Sequence, residues 1–217
     1  MSLSIVIVTF KSNHLIDKLI KSIPDKYNIL IVENSLDNSL KKRLESNFSN
    51  VKVFIPEENL GYSRGLNYGV NVSKTKFVFC LVADVIFEKK TFILIEEILK
   101  KIQNFAIIAP TYKDEKTYKN YLEKKVKNQK ILDIDDKKLL EVREVDGAAF
   151  VVNKEKFQTN IMDDKIFMYF ESTDMCLNTY KRGEKIYAIL NVKFDHLGLQ
   201  SSESQFSSEI KKNRNWH

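Results

Sequence analysis

Residues 4–10 read Ser-Ile-Val-Ile-Val-Thr-Phe, an almost unbroken run of β-branched residues. A run of this length predicts a strand that is buried on both faces. The apolar residues that follow are spaced as on one face of a helix: Leu15, Ile16, Leu19, Ile20 and Ile23. Pro24 ends this helix. A buried strand followed by an amphipathic helix is the start of a βαβ unit, so the opening predicts an α/β protein.

The same alternation continues to about residue 110. Helices are predicted around Leu40 and Leu44 and over residues 92–102. Four more apolar runs predict strands at residues 29–32, 51–55, 77–82 and 105–109, the last closed by Pro110. Strands joined by helices run parallel, so we predict a Rossmann-like, mostly parallel central sheet flanked by helices.

The second half of the chain is less regular. Charge dominates residues 113–141, which predicts a partly mobile excursion over the surface. A helix is predicted from Glu171 to Lys181, ending near Gly183. Strands are predicted at residues 145–152, 166–170, 186–190 and 192–194.

Composition limits the class of protein. The chain has 217 residues, of which 43% are hydrophobic, and this is enough for one domain with a full core. No run of about 18 apolar residues occurs, and Met1 leads directly into a strand, so the sequence predicts a cytoplasmic protein. Cys80 and Cys176 lack the spacing of a zinc site or a disulfide scaffold, and we interpret both as reduced packing residues.

The net charge of +6 has two explanations. Lysines and acidic residues are intermixed along the chain, which disfavours a nucleic-acid-binding protein. The excess lysines either solvate the surface or attract phosphates, on a nucleotide or on an anionic membrane. The tail over residues 203–217 becomes basic and aromatic, which leaves peripheral contact with the inner face of a membrane open. It stops without a terminating element, as a truncated chain does.

Polar residues follow three of the predicted parallel strands, and ligands bind at the carboxyl ends of such strands. Thr9 and Phe10 end the first strand, Glu33 follows the second and Asp84 follows the fourth. The Thr9 hydroxyl and the Glu33 carboxylate can bind a base or a ribose, although the turn at residues 33–37 would equally well cap the next helix. Burying the Asp84 carboxylate is costly without a partner or a metal, which makes it a candidate ligand for a divalent cation.

A glycine-bearing segment at residues 59–69 reads Asn-Leu-Gly-Tyr-Ser-Arg-Gly-Leu-Asn-Tyr-Gly. Its glycines would let the backbone approach a ligand closely. The segment lacks the spacing of the dinucleotide fingerprint and of the phosphate loop, so an ordinary helix entrance explains it as well. Arg64 favours the ligand-binding interpretation, because a guanidinium suits a diphosphate or a sugar hydroxyl.

Three residues of the second half are candidates for a second group of polar residues in the site. Glu171 and Asp174 lie three apart on one face at the start of a predicted helix. Acidic residues there also stabilise the helix macrodipole without any catalytic role. His196 follows the last predicted strand and is either a metal ligand or a structural histidine.

Taken together, these motifs resemble those of a known family. The opening run is followed by Ile-Val-Glu-Asn-Ser at 31–35, Glu-Asn-Leu-Gly-Tyr-Ser-Arg-Gly at 58–65, Leu-Val-Ala-Asp at 81–84, Val-Asp-Gly-Ala-Ala-Phe at 145–150, Phe-Met-Tyr-Phe-Glu-Ser-Thr-Asp at 167–174 and Asp-His-Leu-Gly at 195–198. In order and spacing, residues 4–200 resemble family 2 glycosyltransferases of the GT-A fold, especially the rhamnosyltransferase-like branch.

The resemblance implies transfer of a sugar from a nucleoside-diphosphate sugar to an acceptor hydroxyl, with inversion at the anomeric carbon. Asp84 and His196 would hold a divalent cation, Mg²⁺ or Mn²⁺, and Asp146 and Gly147 would lie under the sugar or the acceptor. The residues that would bind the nucleotide sugar are Thr9, Phe10, Glu33, Asn59, Gly61, Arg64, Asn67 and Asp84.

The resemblance also divides the chain and suggests its partners. Residues 1–110 would be a nucleotide-sugar-binding half, residues 111–200 a smaller acceptor-side half, and residues 201–217 a C-terminal tail. The donor would be linked to dTDP, UDP or GDP, and the acceptor would be a glycan or a lipid-linked glycan. Assembly of a bacterial cell-surface polysaccharide or glycolipid is the expected setting.

Ser172 departs from the family pattern. The residue after the motif glutamate is usually an aspartate that acts as general base, and a serine cannot take that role at neutral pH. Either Glu171 or Asp174 has taken over, and we favour Glu171, or the chain is a catalytically silent nucleotide-sugar-binding or scaffold protein of a glycan-assembly complex.

Overall fold

A computed structural model describes residues 3–114, 119–124 and 131–197. The first part of the chain folds as β1 (Leu3–Thr9), α1 (Asn13–Ser22), β2 (Asn28–Glu33), α2 (Asn38–Asn47), β3 (Val51–Phe54), α3 (Gly61–Val72), β4 (Phe77–Val82), β5 (Val85–Ile86), α4 (Lys89–Lys101) and β6 (Ile107–Tyr112). The second part folds as β7 (Tyr121–Glu123), β8 (Ile131–Ile134), β9 (Lys137–Val145), β10 (Ala149–Asn153), α5 (Glu171–Lys181) and β11 (Ile186–His196).

The strands form one central sheet in the order β3-β2-β1-β4-β10-β6-β11-β9-β7, with β5 paired to β11 and β8 paired to β9. β3, β2, β1 and β4 are parallel, as is the β6–β11 pair, whereas β10 is antiparallel to both of its neighbours. The predicted α/β fold class is confirmed: the sheet is parallel in its first half and mixed in its second.

β1 is buried along its whole length because helices cover both faces of the sheet. Ile5 and Ile7 pack into one core with α1, α2 and α4, whereas Val6 and Val8 pack into the other with α3 and α5. Successive side chains of a strand point to opposite faces, so a strand between two cores needs an unbroken apolar run. Both cysteines lie in the second core, as packing residues would.

The region predicted as a charged excursion contains sheet instead. Among its described residues, β7, β8 and the start of β9 are antiparallel strands at the far edge of the sheet. β9 places buried Leu139 in one core and buried Val142 in the other, with charged residues on either side of them. Its lysines face water or acidic partners such as Glu97, which is 2.7 Å from the Lys137 ammonium. The density of charge hid these buried positions in the sequence.

Three other boundaries differ from the prediction. Pro110 lies within β6 and does not end it; it is beside a register shift between β6 and β11, where a missing N–H is tolerated. The same shift lies between Ile189 and Lys193, so β11 is one irregular strand and not two. The run predicted at 145–152 is broken by a turn at residues 146–148.

Residues 166–170 were predicted as a strand, and this is wrong. They form a loop in which Tyr169 and Phe170 have left-handed φ angles of 67° and 65°. The helix that follows begins at Glu171 and ends at Lys181, with Gly183 at a φ of 74°, as predicted. Within the described ranges, no helix has the length and apolar character needed to cross a membrane. The basic tail at residues 203–217 lies outside them.

Candidate functional site

A cavity of about 350 Å³ opens at the carboxyl ends of β1 and β4. The turns after β1, β2 and β4, the start of α3, the β9–β10 turn, the loop before α5 and the end of β11 all contribute to its wall. Of the residues singled out in the sequence, the wall contains Thr9, Phe10, Asn59, Gly61, Asp84, Asp146, Gly147, Glu171 and His196.

Asp84 and His196 face each other in this wall. The Asp84 side chain is 2% exposed, and His196 Nε2 lies 3.4 Å from Asp84 Oδ1. The β5–β11 ladder holds the two together, because it pairs His196 with Val85, and the Leu197 N–H donates to the Asp84 carbonyl at 2.9 Å. Burial lowers the pKa of His196, but the hydrogen bond and charge of Asp84 outweigh this and leave the pKa raised.

The donor set of this pair fits a divalent cation. Carboxylate oxygen and imidazole nitrogen are ligands of Mn²⁺, and hard cations of this kind often take only one or two protein ligands plus substrate phosphates. In the part of the chain that the structure describes, no three His, Cys, Asp or Glu side chains are grouped to hold a metal. A cation here would therefore be completed by a phosphate ligand rather than by the protein alone.

Glu171 is the first residue of α5 and is only 8% exposed. Its Oε2 atom is buried and has no hydrogen-bond partner among the described residues. Burial raises its pKa, its own backbone N–H opposes the increase, and the nearby charge of Asp146 adds to it. An acid that served only the helix macrodipole would be better solvated, so the burial of Glu171 in a cavity wall points to a role there.

Asp174 lies one turn further along α5 and outside the cavity lining. It is partly exposed, and the Asn178 side chain donates to its Oδ2 at 3.0 Å. The two carboxylates lie on one face of the helix, but only Glu171, at its first residue, reaches the cavity wall, and Asp174 lies one turn beyond it.

Glu33 is fully buried and also lies outside the lining. The Thr9 hydroxyl donates to Glu33 Oε2, and the Ser35 N–H donates to Oε1 at 2.7 Å. These bonds tie the end of β1 to the end of β2, so the carboxylate stabilises the turn beneath the cavity. Thr9 does line the cavity, with its hydroxyl already engaged.

Arg64 and Asn67 lie on α3, away from the cavity lining. Arg64 is half-exposed and forms an ion pair of 2.8 Å with Glu58. Asn67 is buried; its Oδ1 accepts from the Ile161 and Met162 N–H groups, each at 3.1 Å, and its Nδ2 donates to the Met162 carbonyl. Asn67 thus anchors the chain that leads to the loop before α5.

Several lining residues were not singled out as site residues by the sequence. Asn34 donates to the Gly61 carbonyl at 2.9 Å, and the Tyr62 hydroxyl donates to the Gly147 carbonyl at 2.6 Å, which joins the two sides of the cavity. Residues 167–170, here called the aromatic segment, also line it, and Phe170 is 73% exposed. The sequence feature that could have revealed this segment is the run of four large apolar residues directly before Glu171, but such a run is also typical of a buried strand.

Comparison with known families settles the membership of the chain. The sequence model described as "Glycosyl transferase family 2" matches residues 4–160 of the 217. The chain belongs to glycosyltransferase family 2. A comparison of the chain with curated protein sequences finds no match.

Solved structures share the fold of this family 2 domain at low sequence identity. One is GalNAc-T7 with UDP, GalNAc and Mn²⁺, at a TM-score of 0.69 and 16% identity over 90% of this chain and 44% of that one. A mannosyltransferase from Pyrobaculum calidifontis with GDP-Man and Mn²⁺ has a TM-score of 0.68 and 10% identity over 89% and 56%. S. aureus TarS residues 1–349 with UDP has a TM-score of 0.62 and 14% identity over 89% and 59%. The chain thus spans about half the length of these proteins.

Gly61 allows the aromatic segment to pack closely against the start of α3 in this family 2 domain. Its φ is 69°, and a Cβ there would lie 2.3 Å from the Phe167 carbonyl oxygen, whose partner is the Tyr62 N–H at 2.9 Å. We expect Gly61→Ala to lower the free energy of unfolding by about 2–5 kcal/mol, from left-handed strain plus overpacking.

Gly183→Ala is the matched control, measured in the same urea titration. Gly183 has a similar φ of 74°, but a Cβ there meets no atom within 4 Å, so only the strain of about 1–2 kcal/mol is expected. Equal losses for the two variants would contradict the role given to the Gly61–Phe167 contact.

Proposed function

We propose that the chain is an inverting, metal-dependent hexosyltransferase that moves a sugar from a nucleoside-diphosphate sugar to an acceptor hydroxyl. One observation carries the proposal: a single cavity at the strand ends combines the Asp84–His196 pair with the buried carboxylate of Glu171, whose Oε2 atom has no partner among the described residues. A charged leaving group needs the Asp84–His196 pair to stabilise it. An acceptor hydroxyl must lose a proton, and the Glu171 carboxylate can accept it.

The donor binds on the β1 and β2 side of the cavity. Phe10, Asn34, Asn59 and Gly61 are the residues there that would contact the nucleoside, and Lys11 adds a positive charge to the same wall. Asp84 and His196 would hold the divalent cation beside the diphosphate. The cation supplies Lewis-acid stabilisation of the negative charge that develops on the departing diphosphate. Support comes from GalNAc-T7 and the Pyrobaculum mannosyltransferase, whose structures contain Mn²⁺ with UDP or GDP-Man.

The acceptor enters on the α5 side. Glu171 takes the proton of the acceptor hydroxyl while that oxygen forms its bond to the anomeric carbon and the bond from this carbon to the diphosphate breaks. A single displacement of this kind inverts the anomeric configuration. Asp146 and Gly147 form the floor between donor and acceptor, because their turn lies in the wall next to Ser172. The aromatic segment borders the entrance and offers apolar contact to the acceptor.

The biological setting is proposed from the resemblance of the sequence motifs. A rhamnosyltransferase-like enzyme would use a dTDP-, UDP- or GDP-linked sugar and a glycan or lipid-linked acceptor in bacterial cell-surface polysaccharide or glycolipid assembly. We propose that it works in the cytoplasm, with peripheral contact at the inner membrane face through the basic tail.

Titration calorimetry with UDP, GDP and dTDP, each with and without Mn²⁺, tests the donor side. We expect Mn²⁺-dependent binding of one nucleotide, followed by transfer from the corresponding sugar. If none of the three binds in either condition, the transferase proposal fails.

A silent nucleotide-sugar-binding protein is the second candidate, and Ser172 is the observation that favours it. The Ser172 side chain packs against Gly147, where a Cβ would lie 3.2 Å from the Ser172 Cβ. We expect Ser172→Asp to change kcat by less than about tenfold, because Glu171 already supplies the base that contributes about 100- to 10,000-fold. Single-turnover sugar transfer measures this. A rise from undetectable activity by orders of magnitude would instead establish the silent protein.

A further inference from the structure

Tyr112 does not line the cavity; it lines a neighbouring cavity together with His196. It is the last residue of β6, is 8% exposed and pairs in the sheet with Phe194 of β11. Its ring centroid is 4.9 Å from that of Phe194 and 5.6 Å from that of His196, with an angle of 30° between the Tyr112 and His196 ring planes. The phenol is therefore fixed by the strand and by ring packing before any ligand binds.

The Tyr112 hydroxyl lies 3.0 Å from His196 Nδ1, while Nε2 on the other side of the imidazole points toward Asp84. The two ring nitrogens of His196 thus have separate partners. Without a partner at Nδ1, the torsion about the Cβ–Cγ bond of a histidine is broad and roughly two-fold, so the ring could rotate and place carbon atoms toward Asp84.

We propose that Tyr112 is a positioning residue for the cation site: its hydroxyl holds the His196 imidazole with Nε2 directed at Asp84. This inference rests on the proposed function, in which Asp84 and His196 hold a divalent cation. When Nε2 is used for a metal, Nδ1 carries the ring proton and needs an acceptor, and a hydroxyl oxygen is a suitable one. In this role Tyr112 would affect the cation through the orientation of His196 and would not itself be a ligand.

Tyr112→Phe tests the hydroxyl while it keeps the ring packing on Phe194 and His196. The measurement is the Mn²⁺ dissociation constant, from the electron paramagnetic resonance signal of free Mn²⁺, in the presence of UDP, GDP or dTDP. Loss of a partner that orients a metal-binding histidine typically weakens metal affinity by about 10- to 100-fold, and we expect this range. The unfolding temperature should change little, whereas a merely structural tyrosine would change the unfolding temperature and leave Mn²⁺ affinity intact.

Tyr27→Phe is the matched control. Tyr27 is buried, and its hydroxyl is 2.8 Å from Glu96 Oε2 on the α4 side of the sheet, so its loss should leave Mn²⁺ affinity unchanged. His196→Ala gives the full effect of losing the imidazole, and Tyr112→Phe added to it should weaken binding no further.

The outcomes separate this inference from the proposed function. If His196→Ala weakens Mn²⁺ binding and Tyr112→Phe does not, the inference is overturned and the cation site stands. If Tyr112→Phe weakens binding as much in the His196→Ala background as alone, Tyr112 does not act through His196 and the inference is also overturned. If the unaltered chain binds no Mn²⁺ with any of the three nucleotides, both the inference and the proposed metal dependence fail.

Discussion

Replacing Glu171 with glutamine should lower kcat by about 100- to 10,000-fold, the usual contribution of a general base. Glutamine keeps the size of the side chain and its place at the start of α5 but cannot accept a proton. The affinity for the donor nucleotide should stay the same, because Glu171 begins α5, whereas the proposed nucleoside contacts lie after β1 and β2 and at the start of α3. Steady-state transfer assays combined with calorimetry would separate the two effects.

Asp174→Asn is the matched control for Glu171→Gln. It removes a carboxylate from the same helix, one turn away and outside the cavity lining, so kcat should change little. A large loss in Asp174→Asn with a small one in Glu171→Gln would transfer the role of base to Asp174 and contradict the assignment made here.

The raised pKa of Glu171 sets the direction of two pH effects. The base works only when ionised, so activity should fall with decreasing pH, at a higher pH than an ordinary glutamate would give. A folded-state pKa above the unfolded value also means that this group stabilises the fold when protonated and loses that contribution as the pH rises through the folded pKa. At neutral pH, Glu171→Gln should therefore unfold at a higher temperature than the unaltered chain, and a lower temperature would contradict the buried, ionised carboxylate.

Asp84→Asn should remove most of the Mn²⁺ dependence of nucleotide binding and lower kcat/KM by at least about 100-fold. A neutral amide retains the shape of the side chain but loses the charge that attracts a divalent cation, and electrostatic stabilisation of the leaving group is worth several kcal/mol. The measurements are calorimetry of the nucleotide with and without Mn²⁺ and transfer kinetics over a range of Mn²⁺ concentrations.

Asp17→Asn controls for the loss of one negative charge. Asp17 lies on α1, outside the cavity lining, and forms a half-exposed ion pair with Arg43, so both the Mn²⁺ dependence and kcat/KM should be unaffected by its replacement. If Asp84→Asn keeps full Mn²⁺-dependent nucleotide binding, Asp84 does not bind the cation. The proposed cation site, which consists of Asp84 and His196, would then be wrong.

Sequence patterns predicted the elements that have strong periodicity. β1, α1 and β4 were predicted close to their observed bounds, because their apolar residues are spaced by the geometry of a strand or a helix. The strands β7, β8 and β9 were missed. β7 and β8 lie at the edge of the sheet, where a strand needs few buried side chains and tolerates many charges, and β9 carries charged residues between its buried ones. The aromatic segment was mistaken for a strand because a cavity rim and a sheet interior both use consecutive large apolar residues.

The candidate site could be predicted only in part. Thr9, Asp84, Glu171 and His196 do meet around one cavity, as the rule for parallel strand ends anticipated for the first two. Residue type alone did not reveal that the Glu33 carboxylate is engaged by Thr9 and Ser35, or that Asn67 anchors a loop. Those partners depend on which backbone groups a long-range fold brings within hydrogen-bond distance, and nothing local in the sequence encodes this.

The sequence by itself determined the α/β class and the family, because both depend on local periodicity and on the order of motifs along the chain. The tertiary structure alone decided which polar residues face the cavity. It places Glu171 in the cavity wall and Asp174 one turn further along the same helix, outside that wall, and it pairs β5 with β11 so that His196 faces Asp84, with the Tyr112 hydroxyl at its other ring nitrogen. The physical reason is that the direction of a side chain depends on helix phase and strand register, which packing of distant segments sets.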